Sequence, residues 1–332
     1  MKRTLALVLL VAACTKSKGP PLAPLPPDNP PVAAAPADAA KPDPAAEKPA
    51  RPVPTGPLEV KVPAAKTTVK LVNAGKGKRA PLKLTAKVGN KQQVEIALDF
   101  ALTQSAGGQS QSDIVPTVVL AGDAEAKSVD KDGAAAYTLT INKTDARAVA
   151  GTAVPLDKFK EILASTNGLV FDGSVGANGA TGDITMKLAK QGEASAQVLE
   201  LVRLTLPSWP ALPTEPVGVG AKWQATTLTK LADRLDVTQV VDYELVAFAN
   251  NTWTIKGTTK ITGADQMMQG GKITKIAGKG TTEATLVDGK LYPNHKTAVE
   301  ATFTASEPDA KPGTPAATLD FNVKIAGAVT AN

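Results

Sequence analysis

The chain has 332 residues, a formal net charge of +6, one cysteine and one histidine. One histidine and one cysteine exclude the His-rich and Cys-rich zinc and iron centres, and a lone cysteine excludes a disulfide within the chain. The charge excess is thin for this length and is not interleaved with aromatic residues, which argues against nucleic acid as a partner.

The first fourteen residues read as a secretory signal. Lys2 and Arg3 precede the short apolar run Leu5–Val11, and two alanines and Cys14 follow. The apolar run is too short to span a bilayer, and no later run reaches that length. Removal of residues 1–13 would take away Lys2 and Arg3 and leave a side-chain charge of about +4.

Residues 15–57 read as a tether. Fourteen prolines lie between Pro20 and Pro57, with neither aromatics nor isoleucine among them. Such a segment cannot bury enough apolar surface to offset its ordering entropy. Proline biases it to extended polyproline II, long enough to hold a domain up to roughly 100 Å from a membrane.

From residue 58 onward, period-two alternation dominates, the mark of half-buried strands. It is clearest over Val94–Leu102, and recurs at Tyr137–Ile141, Leu235–Leu245, Val299–Phe303 and Leu319–Ile325. Asn250-Asn251 predicts a hairpin turn before Trp253. Gly89-Asn90, Asp132-Gly133 and Asp288-Gly289 mark further turns. Two segments carry helical periodicity instead. One runs from Pro155 to Ala164, with Leu156, Phe159 and Leu163 on one face; the other runs from Glu193 to Leu204. The expected fold is mainly β, a large curved antiparallel sheet with two covering helices. A weak internal repeat divides it into two similar halves, 58–205 and 206–332, read as one globular unit, with two separate domains as the alternative for about 275 residues.

Several residues invite a chemical reading. His295, in Tyr292-Pro-Asn-His-Lys296, lacks the Gly-x-Ser-x-Gly elbow of a hydrolase and is expected near a strand end. Glu95 and Asp99 share a strand face but stand about 13 Å apart, too far for a glycosidase pair. Asp130-Lys-Asp-Gly133 reads as a turn, because the position that a calcium loop reserves for glutamate is Ile141. Lys76-Gly-Lys-Arg79 reads as a solvated turn, and glycines 173, 176, 179 and 182 as a mobile loop. Met267-Met268, in a Gly-flanked loop, is a candidate adaptable contact surface. Trp209, framed by Pro207 and Pro210, is a candidate lid or interface residue, whereas Trp223 and Trp253 fall in expected strands. No catalytic set, metal site or cofactor motif emerges, so the chain is expected not to be an enzyme.

Val11-Ala-Ala-Cys14 resembles the lipobox of bacterial lipoproteins. That resemblance implies acylation of the Cys14 thiol, removal of residues 1–13 and attachment to a membrane through the lipid. Thr15 after the cysteine implies sorting to the outer membrane, facing the periplasm. Pro216-Val-Gly-Val-Gly-Ala-Lys-Trp223 and Asp130-Lys-Asp-Gly133 are similar to segments of a family of uncharacterised bacterial lipoproteins. The likeness covers about residues 80–328 and implies a β-rich envelope protein with no catalytic residues. The expected sheet also looks like the half-barrel of periplasmic lipoprotein carriers. Two partners are therefore expected beyond the membrane itself: an apolar or lipid ligand, or, alternatively, another envelope protein or cell-wall component.

Overall fold

The computed structural model describes residues 56–332, apart from 193, 207–208, 232–234, 269–270 and 307–316. Cys14, the signal segment and nearly all of the expected tether lie outside the described residues. Strands come first among the described residues: β1 (Leu58–Val62), β2 (Lys66–Asn73), β3 (Lys76–Ala80), β4 (Lys91–Ala106), β5 (Gln109–Ile114), β6 (Thr117–Val129) and β7 (Ala135–Arg147). Helix α1 (Leu156–Ala164) follows, then β8 (Val170–Val175), β9 (Thr181–Leu188) and helix α2 (Ser195–Thr205). The rest is again β: β10 (Val217–Val219), β11 (Lys222–Leu231), β12 (Leu235–Ala249), β13 (Thr252–Thr262), β14 (Gln266–Met268), β15 (Gly271–Val287), β16 (Asn294–Ser306) and β17 (Thr318–Ala331).

Fifteen of these strands form one antiparallel sheet, in the order β1-β9-β8-β7-β6-β4-β17-β16-β15-β13-β12-β11-β2, with β5 beside β4 and β14 beside β15. The thirteen strands of the main path alternate in direction, so the two ends, β1 and β2, run parallel. Only residues 63–65 separate those ends in the chain, which holds Val62 and Lys66 within about 15 Å. The sheet therefore rolls round on itself. Register shows how. The row through Lys61, Thr185, Asp172, Thr138 and Glu125 crosses β4 at Lys91. The row through Lys66, Leu228, Thr238, Thr262, Ala277, Thr302 and Asn322 crosses β4 at Thr103. Such a stagger around the sheet is what tilting strands into a barrel requires. The seam is bridged covalently, and Ala64 donates its N–H to Asp183 there at 2.7 Å.

Alternation along each strand builds the core. Val94, Ile96 and Leu98 of β4 are buried on one face, while Gln93, Glu95 and Asp99 point away. The same face of β6, β7, β8 and β9 contributes Leu120, Leu139, Ile141, Phe171 and Met186. This cluster continues through Trp223, Leu245, Ile255, Leu286 and Val329 of the later strands, so residues of both halves share it. At roughly 1.5–3 kcal/mol per fully buried large apolar side chain, this interior supplies most of the stabilisation. A second, smaller cluster (Leu235, Val237, Ile261, Ile273, Ile276, Ala305 and Phe321) fills the far end of the long strands.

Both helices pack on the core. Helix α1 buries Phe159 and Leu163, with Asp157 in its first turn, where the helix dipole favours a carboxylate. Its end is held from outside, since Leu163 O accepts from Thr144 Oγ1 at 2.9 Å and Thr166 Oγ1 at 2.6 Å. Helix α2 buries Val198, Leu199 and Val202. Three expectations need correction. Lys76–Arg79 is strand rather than turn, because Ala80 and Lys76 pair with Val217 and Val219 of β10. Gly173 and Gly182 belong to β8 and β9, so only Gly176 and Gly179 lie in the connecting turn. Met267 and Met268 form β14, hydrogen-bonded to β15.

Candidate functional site

A cleft of about 550 Å³ opens where β15, β16, β17 and β4 lie side by side. Its lining follows two alternate register rows, two residues apart along each strand. One is Thr281, Ala298, Ala326 and Asp99; the other is Lys279, Glu300, Lys324 and Ala101. Residues directly opposite in a sheet point to one face. Asp99 and Ala101 alternate with the buried Ile96 and Leu98, so both rows face away from the core. Between them run Gly280, Val299, Ile325 and Phe100, which offer backbone to the cleft floor. Alanine at three of the eight row positions leaves the floor low. Ile114, directly opposite Ala101, and Val149, just past β7, form an apolar wall.

The opposite wall is charged. Asn322 Nδ2 donates to Glu300 Oε1 at 2.9 Å, and Lys324 Nζ stands 3.7 Å from the same carboxylate. The Asn322 hydrogen bond, followed by the charges of Lys324 and Lys279, lowers the Glu300 pKa. Glu300 is therefore an anion at neutral pH between two cations. At the floor, Asp99 accepts a hydrogen bond from Thr117 Oγ1. The cleft thus has an apolar wall and a charged rim, with alanines and the Asp99 carboxylate side by side at its floor.

The residues singled out in the sequence do not converge here. Trp209 is 8% exposed. Its Nε1 donates to Leu291 O at 3.2 Å, and its ring lies 5.4 Å from Tyr137 and 4.8 Å from Tyr292. It plugs the core, and desolvation raises the pKa of both neighbouring phenols, which stay protonated. Met267 is 62% exposed, whereas Met268 packs on the second cluster, at the end of the strands away from Trp209. Glu95 and Asp99 do share the outward face, but Glu95 pairs with Arg147. Asp130 Oδ1 accepts the N–H groups of Asp132 and Ala134 and closes its own turn around Gly133. His295 is buried between Ala284 and Val329, and desolvation lowers its pKa to about 4. Among the described residues, no group of three or more His, Cys, Asp or Glu is placed to hold a metal.

The cleft is not legible in local pattern because its rows draw on residues more than two hundred positions apart, such as Asp99 and Ala326. The local signal was alanine at outward strand positions, where charged or hydroxyl residues are the rule.

No family model and no curated protein matches this chain. Among solved structures, an outer membrane channel from Pseudomonas putida F1 is similar over 74% of this chain and 97% of that one. Identity is 10% and the TM-score 0.14, a value too low to relate the two folds.

Proposed function

We propose that this chain is a lipid-anchored protein of the bacterial envelope whose β-rich domain is not catalytic and binds an apolar or lipid ligand. The anchor is Cys14 of the lipobox-like segment, and Thr15 favours the outer membrane, facing the periplasm. The observation that carries the ligand reading is the outward cleft: low alanine floor, Ile114 and Val149 as one wall, Lys279 and Lys324 at the rim. Charged pairs on outward strand faces, such as Lys256–Glu283 and Lys222–Glu244, fit a domain beside the bilayer, since a membrane barrel needs an outward apolar band. The carboxylates near the cleft each have their own partner, which suits binding better than acid–base chemistry.

Titration of the full chain carrying Cys14→Ser with an environment-sensitive fluorescent fatty acid tests this reading. Saturable binding is expected, weakened at least tenfold by Ala298→Phe with Ala326→Phe. Binding that ignores both substitutions would reject the cleft.

A second reading, a structural or adaptor lipoprotein, is favoured by a different observation. Edge strands β1 and β2 each pair on one side only among the described residues. Such edges can accept a strand from another envelope protein. Crosslinking in cells from Lys70 of β2 would recover that partner.

A further inference from the structure

The positive charge of this chain is concentrated in one stretch. From Glu59 to Glu95 no acidic residue intervenes, and nine cations do: Lys61, Lys66, Lys70, Lys76, Lys78, Arg79, Lys83, Lys87 and Lys91. These nine exceed the excess of six for the whole chain, so the remainder is net negative. Such a run is usually a solvated face. Its path in the fold says more.

From Val72 to Lys91 the stretch crosses one end of the barrel, the end that carries the Asn250–Asn251 and Asp288–Gly289 turns. Residues 80–90 run over the mouth. Leu82 and Leu84 point inward and are buried, while Lys83 and Lys87 are exposed. Leu84 N donates to Ala177 O at 2.8 Å, Gly289 N to Thr85 Oγ1 at 2.7 Å and Gly89 N to Ala126 O at 2.9 Å, which fixes the crossing to three turns or strand ends. Strand β3 brings Lys76, Lys78 and Arg79 to the same end, all exposed. None of these five cations has a carboxylate within 4.0 Å among the described residues. Several carboxylates at this end are engaged instead: Asp288 with Thr85, Asp130 with its own turn, Glu125 with Lys127 and Glu244 with Lys222; Asp132 and Glu215 are the exposed acids beside the cations.

Exposed apolar side chains gather at this end too. Among the described residues seven large ones are exposed, and five of them, Val72, Val88, Val219, Val246 and Phe248, lie here. Val219 is directly opposite Lys76, and Gly220 bonds to Leu245 beside Val246. Phe248 stacks on Trp253 at 3.8 Å, which holds an aromatic ring rigidly at the rim.

We infer that this end of the barrel docks on an anionic phospholipid surface, with the cations among the headgroups and Phe248, Val88, Val219, Val246 and Val72 at the acyl boundary. Cations alone would suit any polyanion. Apolar side chains set among them favour a bilayer, where each group has its own layer. The contact is separate from the cleft, so either can fail without the other.

The test uses the full chain with Cys14→Ser, sedimented with vesicles of phosphatidylcholine alone or with about 30% phosphatidylglycerol. Residues 1–13 are common to every variant and cancel in the comparison. One variant carries Lys76, Lys78, Arg79, Lys83 and Lys87→Gln. A control of equal charge carries Lys143, Lys158, Lys187, Lys230 and Lys256→Gln, and circular dichroism verifies both folds. The end variant is expected to lose at least about tenfold in binding to anionic vesicles at 0.1 M salt, and the control about twofold or less. Phe248→Ser is expected to weaken vesicle binding severalfold and leave binding to soluble dextran sulfate unchanged. Equal loss in the two Gln variants, or an end variant that binds as before, would overturn the proposal. So would a Phe248→Ser variant with unaltered vesicle binding, which would point to a soluble polyanion.

Discussion

Gln92 and Tyr292 are joined in both directions by buried hydrogen bonds across two hundred residues of chain. Gln92 Oε1 accepts the Tyr292 N–H at 2.9 Å and the Leu291 N–H at 2.7 Å, and its Nε2 donates to Tyr292 O at 3.3 Å. The amide thus satisfies an irregular segment, ahead of β16, that no neighbouring strand pairs. It also seats the Tyr292 ring against Trp209 and Tyr137. Gln92→Leu should cost about 2–3 kcal/mol, because two buried N–H groups lose their acceptor. Urea unfolding followed by tryptophan fluorescence measures it, and a change below about 0.5 kcal/mol would show that water or a shifted backbone replaces the amide.

Gly173 makes room for Tyr137. A Cβ at this position would sit 2.7 Å from the phenol oxygen and 2.9 Å from the ring carbon that bears it. Gly173→Ala should therefore push the ring out of the aromatic cluster and destabilise by about 1–3 kcal/mol. Thermal unfolding should fall by several degrees, whereas Gly77→Ala, which meets open space but has a φ of 74°, should lose only the smaller backbone cost.

His295 gives stability a pH dependence with a definite sign. Burial depresses its folded pKa from 6.5 to about 4. Between those values the unfolded chain binds the proton and the folded chain does not, so stability rises with pH across this window. Above pH 6.5 both states are neutral and the effect vanishes. Lowering the pH from 7 to 4 should cost roughly 3 kcal/mol through this residue. The carboxylates whose pKa values are lowered, Asp172 and Glu300 among them, lose stability at still lower pH. His295→Leu isolates the histidine: its denaturation midpoint should vary less than that of the parent between pH 4.5 and 6.5, and parallel curves would refute a buried neutral imidazole.

The turn between β12 and β13 carries Asn250 and Asn251 at φ values of 50° and 55°. This is the type I′ arrangement, in which glycine at the second position relieves the left-handed cost. Asn251→Gly should stabilise by up to about 1 kcal/mol, read as a higher urea midpoint at unchanged slope.

Much of the fold is legible in local pattern. Alternation around Val94–Leu102 locates β4, Pro155 and the Leu156/Phe159/Leu163 spacing locate α1, and Asn250-Asn251 marks its hairpin. What local pattern omits is partner choice. Lys76–Arg79 reads as turn because nothing in it is apolar, yet β10, well over a hundred residues later, supplies the pairing. Gly173 reads as loop because the reason for a glycine there is the ring of Tyr137 on the neighbouring strand. Trp209 reads either as core or as a lid or interface residue, because prolines flank it, and its contacts with Tyr137 and Tyr292 decide for the core. The cleft is least legible of all, since β4 meets β17 only when the chain's end returns to its beginning.

Native mass spectrometry of the full chain with Cys14→Ser, produced in a bacterial periplasm and then denatured in the same solution, tests the ligand reading most directly. An adduct of lipid mass is expected, lost on denaturation and diminished by Ala298→Phe with Ala326→Phe. A bare mass that matches the sequence, in parent and variant alike, would contradict it.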